Sequence, residues 1–339
     1  MLQLENETPF SVDMMVTQSK DGRDTLVVAI KATFDILPEV RISENQRPVQ
    51  MGDEYFADPE ASSLKYPSDI LLPKPGVDIV YIGNALAPNE QPVRSLMAGI
   101  TVGGIEKRLQ IFGDRTWNDG TISKPQPFLS MPIIYEHAFG GVHHFREDLA
   151  LGPDSAVYEA KNPIGKGFAG QRKKKSEFNG LTLPNIEQPD ALIQHVTDQP
   201  EPCCLAAVPP MWSPRKGFAG TYDELWQKKR APLLPDDFDQ RFFQVGAAGL
   251  SHPQATIEGG ELVGLHNLAP EPEMEFCLPI CRPRIQVKLD GTYREVDPVI
   301  ETVLIEPFEN ALCLVWKGVF DCERQVSRVE RIQVALQSL

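Results

Sequence analysis

The stretch "TLVVAIKATFDIL", Thr25 to Leu37, sets Leu26, Val28, Ile30, Ala32, Phe34 and Ile36 at alternate positions, with Lys31, Thr33 and Asp35 on the other face. A period of two marks a β-strand, because successive side chains point to opposite faces. The same style recurs on both sides of it. "VDIVYIG" (77–83) reads as a second apolar strand. "AGITVGGIEKRLQIFG" (98–113) reads as a hairpin. Its two-residue tip, Gly103-Gly104, suits a turn that needs positive φ. On the second arm Ile105, Leu109 and Ile111 face opposite to Glu106, Arg108 and Gln110. Near the other end "RIQVKLDGTYREV" (284–296) is a hairpin with Asp290-Gly291 at its tip. "VIETVLIEP" and "ALCLVWKGVF" follow as strands separated by "FEN", and "RQVSRVERIQVAL" (324–336) supplies a last strand or a helix.

Proline supports the same class. Thirty of 339 residues are proline, against roughly one in twenty ordinarily. Proline removes a backbone donor and breaks helices. The expected fold is therefore mainly β: antiparallel, sandwich-like sheets, long ordered loops rich in Pro and Gly, and a few short helices. Residues 1–139 form a β-rich region, 140–235 a loop-rich middle and 236–339 a second β-rich region, or all three make one continuous domain.

The middle holds the clearest helix, "GTYDELWQKKR" (220–230). Thr221 and Glu224 have capping-box spacing, Lys228 to Arg230 suit the C-terminal dipole end, and Pro232 stops it. Trp226 and Leu225 are expected to pack this helix down. A second short helix is expected in "PDDFDQRFF" (235–243), capped by Asp236. "GKGFAG" (165–170) and "RKGFAG" (215–220) form a short repeat, read as a shared turn need or as two related loops flanking one surface.

Composition bounds the function. Hydrophobic residues make 42% and charged residues 24%, an ordinary globular profile. No run approaches the ~18 apolar residues of a membrane helix. The N-terminus lacks the basic and apolar regions of a secretory signal, so the cytoplasm is the expected location. A net charge of -14, from 47 acidic and 33 basic residues, argues against nucleic acid as a partner. The local exception is "GQRKKK", with Arg172, Lys173, Lys174 and Lys175 in a row. It reads as a solvated loop or as a docking patch for an acidic partner. The six cysteines, at 203, 204, 277, 281, 313 and 322, show no disulfide-scaffold spacing, and Cys277 and Cys281, three residues between them and no second cysteine or histidine pair nearby, give only a weak zinc signal.

One stretch suggests chemistry. "MPIIYEHAFGGVHHF" (131–145) gathers Glu136, His137, His143 and His144 within nine residues. His137 and His143 are six apart with Gly140-Gly141 between them, a spacing that fits no common ligand pair. The glycine pair reads instead as a tight turn, and a metal-dependent enzyme built on these four residues is the weaker alternative. No G-x-S-x-G elbow, P-loop or dinucleotide fingerprint is present. Asp114 and Arg115 beside Trp117 read as a buried ion pair or a loop clamp. No catalytic residue and no cofactor are assigned.

Several segments taken together carry a resemblance. They are "KATFDI", "YFADPEASSLKYPSDILLPKPGVDIV", "VGGIEKRLQIFGDRTW", "FLSMPIIYEHAFGG", "NPIGKGF", "LPNIEQP", "MWSPRKGFAGTYDELWQKKRAPLLPDDFDQRFF" and "LVGLHNLAP". The sequence resembles the bacterial domain-of-unknown-function family 2169. It departs from that pattern at "PEPCCLAAVPPMW" (200–212), where a glycine-aromatic stretch is expected. The resemblance implies an adaptor or chaperone of type VI secretion, which binds an effector through a PAAR-like N-terminal region and helps load it onto the VgrG spike protein. A structural part of the secretion apparatus is the other role it suggests. On this reading residues 161–230 contribute to the partner surface: Phe168, Phe218 and Tyr222 as anchors, with Arg172 and Lys173 to Lys175 as steering charges. Phe178, Trp212 and Trp226 are further aromatic candidates.

Overall fold

The computed structural model describes residues 2–145, 155–252, 256–322 and 326–337. Four strands open the chain: β1 (Gln3–Asn6), β2 (Ser11–Gln18), β3 (Asp24–Asp35) and β4 (Arg41–Ile42). β3 lies within a seven-stranded sheet. Its order is Ser251–His252, Val77–Tyr81, Val299–Glu306, Ala311–Asp321, β3, β2, with β4 on β3 beyond the end of β2. All its pairings are antiparallel except that of Val77–Tyr81 with Val299–Glu306. The Gly103-Gly104 hairpin builds a five-stranded antiparallel sheet with Ile186–Glu187, Leu262–His266 and Glu273–Cys277. The Asp290-Gly291 hairpin pairs with Val329–Leu336, which carries β1 in parallel on its other side, in a four-stranded sheet. Residues 329–336 are thus strand. The fold is mainly β, as the alternation predicts.

The inner faces of the three sheets share one core. Leu26, Ile30 and Phe34 of the first meet Ile100, Leu109 and Val263 of the second, and Ile285, Val287 and Ile332 of the third. Turn chemistry follows the sequence where positive φ is needed. Asp290 and Gly291 have φ of 48° and 76°, and Gly103 has 56°; Gly104 does not adopt positive φ.

The other face of the large sheet carries charge and is nevertheless buried. Lys31, Thr33, Asp78, Glu301, Thr302, Glu306 and Lys317 are all buried there, because the segment 43–76 lies across them. Gln46 donates to and accepts from the Thr33 backbone at 2.8 and 2.9 Å. Lys31 pairs with Asp69 at 2.9 Å, Lys74 with Asp78 at 2.7 Å, and Lys317 with Glu301 at 2.8 Å. Arg47 reaches Glu306, which also accepts from the Tyr66 hydroxyl at 2.7 Å. The ladder shifts register between Ile300 and Thr302, leaving Glu301 as the extra residue, and such a bulge re-aims its side chain. Burial pushes the Lys317 ammonium down in pKa, and Glu301 partly offsets it. Small apolar clusters fill between the charges: Val49 and Ile70 on Ala29, and Leu64 on Val80 and Leu304.

The helices correct three expectations. α1 spans Glu224–Lys229 and its cap is Asp223, whose carboxylate accepts from Trp226 N at 2.8 Å. Thr221 is held elsewhere, its N–H and hydroxyl both donating to Asp237, so the Thr221–Glu224 capping box does not form. Leu225 stays exposed, and Trp226 is fixed by Nε1 donating to Leu233 O at 2.8 Å. Downstream only a 3-10 turn forms, Gln240–Phe243, capped by Asp239 and not Asp236. The "KGFAG" repeat adopts two conformations. Lys166–Gly167 is a strand, whereas Arg215–Ala219 is a 3-10 turn. Only the closing glycines agree, Gly170 at φ 60° and Gly220 at 80°.

Removing one partner of a buried pair strands the other charge, at about 3–5 kcal/mol, while an exposed pair contributes less than about 1 kcal/mol. Lys317→Met should therefore lower unfolding free energy in urea by about 3 kcal/mol or more. Arg284→Gln, which opens the exposed pair with Glu295, should change it by less than about 1 kcal/mol.

Candidate functional site

Four of the segments that carry the family resemblance converge in space. They contribute Asp114 and Arg115, Glu136 and His137 with Gly140-Gly141, Asn162 with Lys166, and Asn185 with Glu187. None of these loops has regular structure long enough to satisfy its own backbone. Buried polar backbone must find partners, and here two asparagines supply them. Asn162 is fully buried, and its Nδ2 donates to Tyr135 O at 2.8 Å and Phe139 O at 2.9 Å. Its own carbonyl accepts from Gly141 N at 2.8 Å. Asn185 donates to Phe112 O at 3.1 Å and to Asp114 Oδ1 at 3.0 Å. Its Oδ1 then accepts from Lys166 Nζ at 2.9 Å and from His137 Nδ1 at 3.0 Å.

That arrangement fixes the imidazole. With Asn185 Oδ1 as acceptor, His137 carries its proton on Nδ1. A charged imidazolium would sit beside the Lys166 ammonium in a partly desolvated place. Burial is the main cause that pushes the His137 pKa down, with Lys166 adding to it and the Asn185 bond and nearby carboxylates opposing it. Lys166 is itself depressed by burial and partly restored by Asp114.

Arg115 does not pair with Asp114. Its guanidinium reaches the buried carboxylate of Glu187 and Pro184 O at 2.7 Å, and it stacks on Phe112 with 3.8 Å to the ring centroid. Glu187 also accepts from Ile193 N at 2.7 Å. Trp117 is buried with Phe139, Phe178 and Leu183, and Phe168 packs on that cluster from outside.

The four residues considered for a metal are dispersed. Glu136 is taken by the N–H and hydroxyl of Ser63. His137 is committed to Asn185, and His143 Nδ1 accepts from Gln171 N at 2.9 Å. His144 lies on the short ribbon Val142–His144, paired with Ala156–Tyr158. Among the described residues no group of three or more His, Cys, Asp or Glu side chains is placed to hold a metal ion.

Gly140 and Gly141 take φ of 147° and 109°. A Cβ on Gly140 would stand 2.1 Å from Asn162 O, and one on Gly141 2.5 Å from Gly165 O. The glycines let two backbones touch.

The surface residues are placed unevenly. Lys173, Lys174 and Lys175 are exposed, and the N–H groups of the first two donate to Glu177. Arg172 is folded back, donating to Phe168 O and Ala169 O. Tyr222 is exposed and stands edge-on to Trp226 at 4.7 Å, whereas Arg241 covers the Phe218 ring at 4.3 Å. Phe178 and Trp212 are buried, so neither is an anchor; Trp212 packs edge-on against Tyr135 at 5.3 Å. Among the described residues no helix is long and apolar enough to cross a membrane. Reading single residues missed Ser63, Asn162, Lys166, Asn185 and Glu187. The available signal was their place inside the resembling segments.

Fold and site define a mainly β scaffold whose loops are locked to one another by buried side chain–backbone hydrogen bonds. Over residues 21–317 the chain matches the family described as "Uncharacterized protein conserved in bacteria (DUF2169)", and it belongs to that family. No curated protein and no solved structure matches it.

Gly140→Ala should destabilise the protein by more than about 1 kcal/mol, since both strain and contact oppose it, and chemical denaturation measures this. The depressed His137 pKa means the unfolded chain takes up the proton first. Its contribution to stability is complete above about pH 6.5 and falls as pH drops below that value. His137→Gln should flatten part of the decline in melting temperature between pH 7 and pH 5.

Proposed function

We propose that this protein is a non-catalytic adaptor that binds a type VI secretion effector through the effector's PAAR-like region and helps load it onto the VgrG spike. The resemblance supplies the biological setting. The observation that carries a binding role is the lysine run: three exposed cations on a chain of net charge -14, on a loop anchored by Glu177, Arg172 and His143. An ordered charged loop loses little entropy on binding and steers association. Phe168, whose carbonyl Arg172 holds, supplies apolar contact area beside it.

Two measurements test this. The effector's N-terminal region should co-purify with the protein, and binding that survives deletion of that region overturns the reading. Replacing Lys173, Lys174 and Lys175 by Glu should slow association at least tenfold at low salt, lose most of that effect at high salt, and leave dissociation nearly unchanged.

A further inference from the structure

The large sheet and the four-stranded sheet touch and then part. At Gly318 they meet: a Cβ there would stand 2.3 Å from Ile285 Cδ1. Two residues back on the same face of that strand, at Trp316, they diverge and leave a cleft of about 610 Å³, within the ordinary range for a small-molecule site. Ile257, Pro283, Val299, Ile300 and Trp316 give it apolar walls. Val299 is exposed, whereas Trp316 is 3% exposed and has Phe10 stacked on its ring at 6.2 Å.

The indole N–H is the unspent group. A buried tryptophan ordinarily finds an acceptor for it, yet Trp316 Nε1 donates to nothing among the described residues. It is not one of the fully enclosed orphan atoms either, so it opens on the cleft that Trp316 lines. The charges around the cleft cancel. Lys74, Arg282 and Arg284 face Glu258, Glu295 and Asp297. Lys74 is tied to Asp78 at 2.7 Å and Arg284 to Glu295. Arg282, Glu258 and Asp297 are exposed, and their side chains have no partner among the described residues. A ligand of either charge would meet as many like charges as opposite ones, and would give up its own hydration against apolar walls. An uncharged ligand avoids both costs.

We propose that this cleft binds an uncharged apolar amide, whose carbonyl oxygen accepts from Trp316 Nε1 while its hydrocarbon part lies on Ile257, Val299 and Ile300. The amide carbonyl is a strong acceptor without charge, which is what the floor and the rim together ask for. Two sources share that chemistry: a free small amide, and an apolar peptide unit of a bound polypeptide. The inference does not depend on the adaptor reading.

The test uses the full chain labelled with nitrogen-15. Its four tryptophans give four indole N–H resonances, and Trp316→Phe identifies one of them by deleting it. Hexanamide should shift that resonance saturably, while hexanoate and hexylamine should bind roughly tenfold more weakly or worse. A second readout leaves Trp316 in place. In Cys277→Ser protein, Cys281, which lines the cleft, is the only cysteine that is not buried, and saturating hexanamide should slow its alkylation by iodoacetamide by roughly tenfold or more. Val299→Glu, which charges an exposed part of the wall, should weaken hexanamide by roughly fivefold or more. Tighter binding of N-acetyl-leucyl-leucinamide than of hexanamide supports the proposal with a polypeptide as the source, and the reverse order supports it with a free small amide. An unmoved Trp316 resonance and unchanged alkylation of Cys281 with both amides overturn the proposal. Hexanoate or hexylamine binding as tightly as hexanamide overturns it as well.

Discussion

A layer of buried ion pairs decides how the large sheet can be covered. Lys31, Asp78, Glu301 and Lys317 project from a face that in an ordinary sandwich would be either apolar or wet. Each must meet its counter-charge out of water, and the segment 43–76 brings Asp69 and Lys74 to that face while the bulge at Glu301 turns a carboxylate toward Lys317. Buried pairs contribute little net energy compared with well-packed apolar groups. What they impose here is register: sliding the segment by one residue would separate Lys31 from Asp69 and Lys74 from Asp78 and leave charges unmatched in a dry layer. The uneven loop that crosses the sheet therefore has one seat.

The same logic governs the middle of the chain at smaller scale. Its loops lack ladders of their own, so amide side chains do what strands do elsewhere. Asn162 uses both Nδ2 protons on two carbonyls of one loop, and Asn185 ties three loops together. Glycine completes the lock by permitting contact that a Cβ would forbid. The product is irregular backbone with the fixity of a sheet.

How much of this was legible depended on sequence distance. The alternation of Thr25–Leu37 declared β3, and the Gly103-Gly104 and Asp290-Gly291 turns declared two hairpins, because those signals are local. The cap of α1 was misread because Asp237, sixteen residues away, competes for Thr221. Arg115 was read with its neighbour Asp114, while its partner Glu187 lies 72 residues on. Lys31–Asp69 and Lys74 with Thr302 are separated by 38 and 228 residues; no period or spacing encodes them. The site was visible only as segments of unusual composition, since an asparagine that braces three loops looks like any other asparagine until the loops are in place.

The order in which the large sheet is made has a consequence for biosynthesis. β3 leaves the ribosome long before one of its two long neighbours, Ala311–Asp321, is made. Val77–Tyr81 likewise waits for Val299–Glu306. For most of translation the longest apolar strand has an unpaired flank, and the charges under residues 43–76 lack Glu301 and Lys317. Such delayed closure makes folding slow and leaves a sticky intermediate. A nascent chain stalled before residue 299 is then a substrate for general chaperones and proteases, whatever the finished protein goes on to bind.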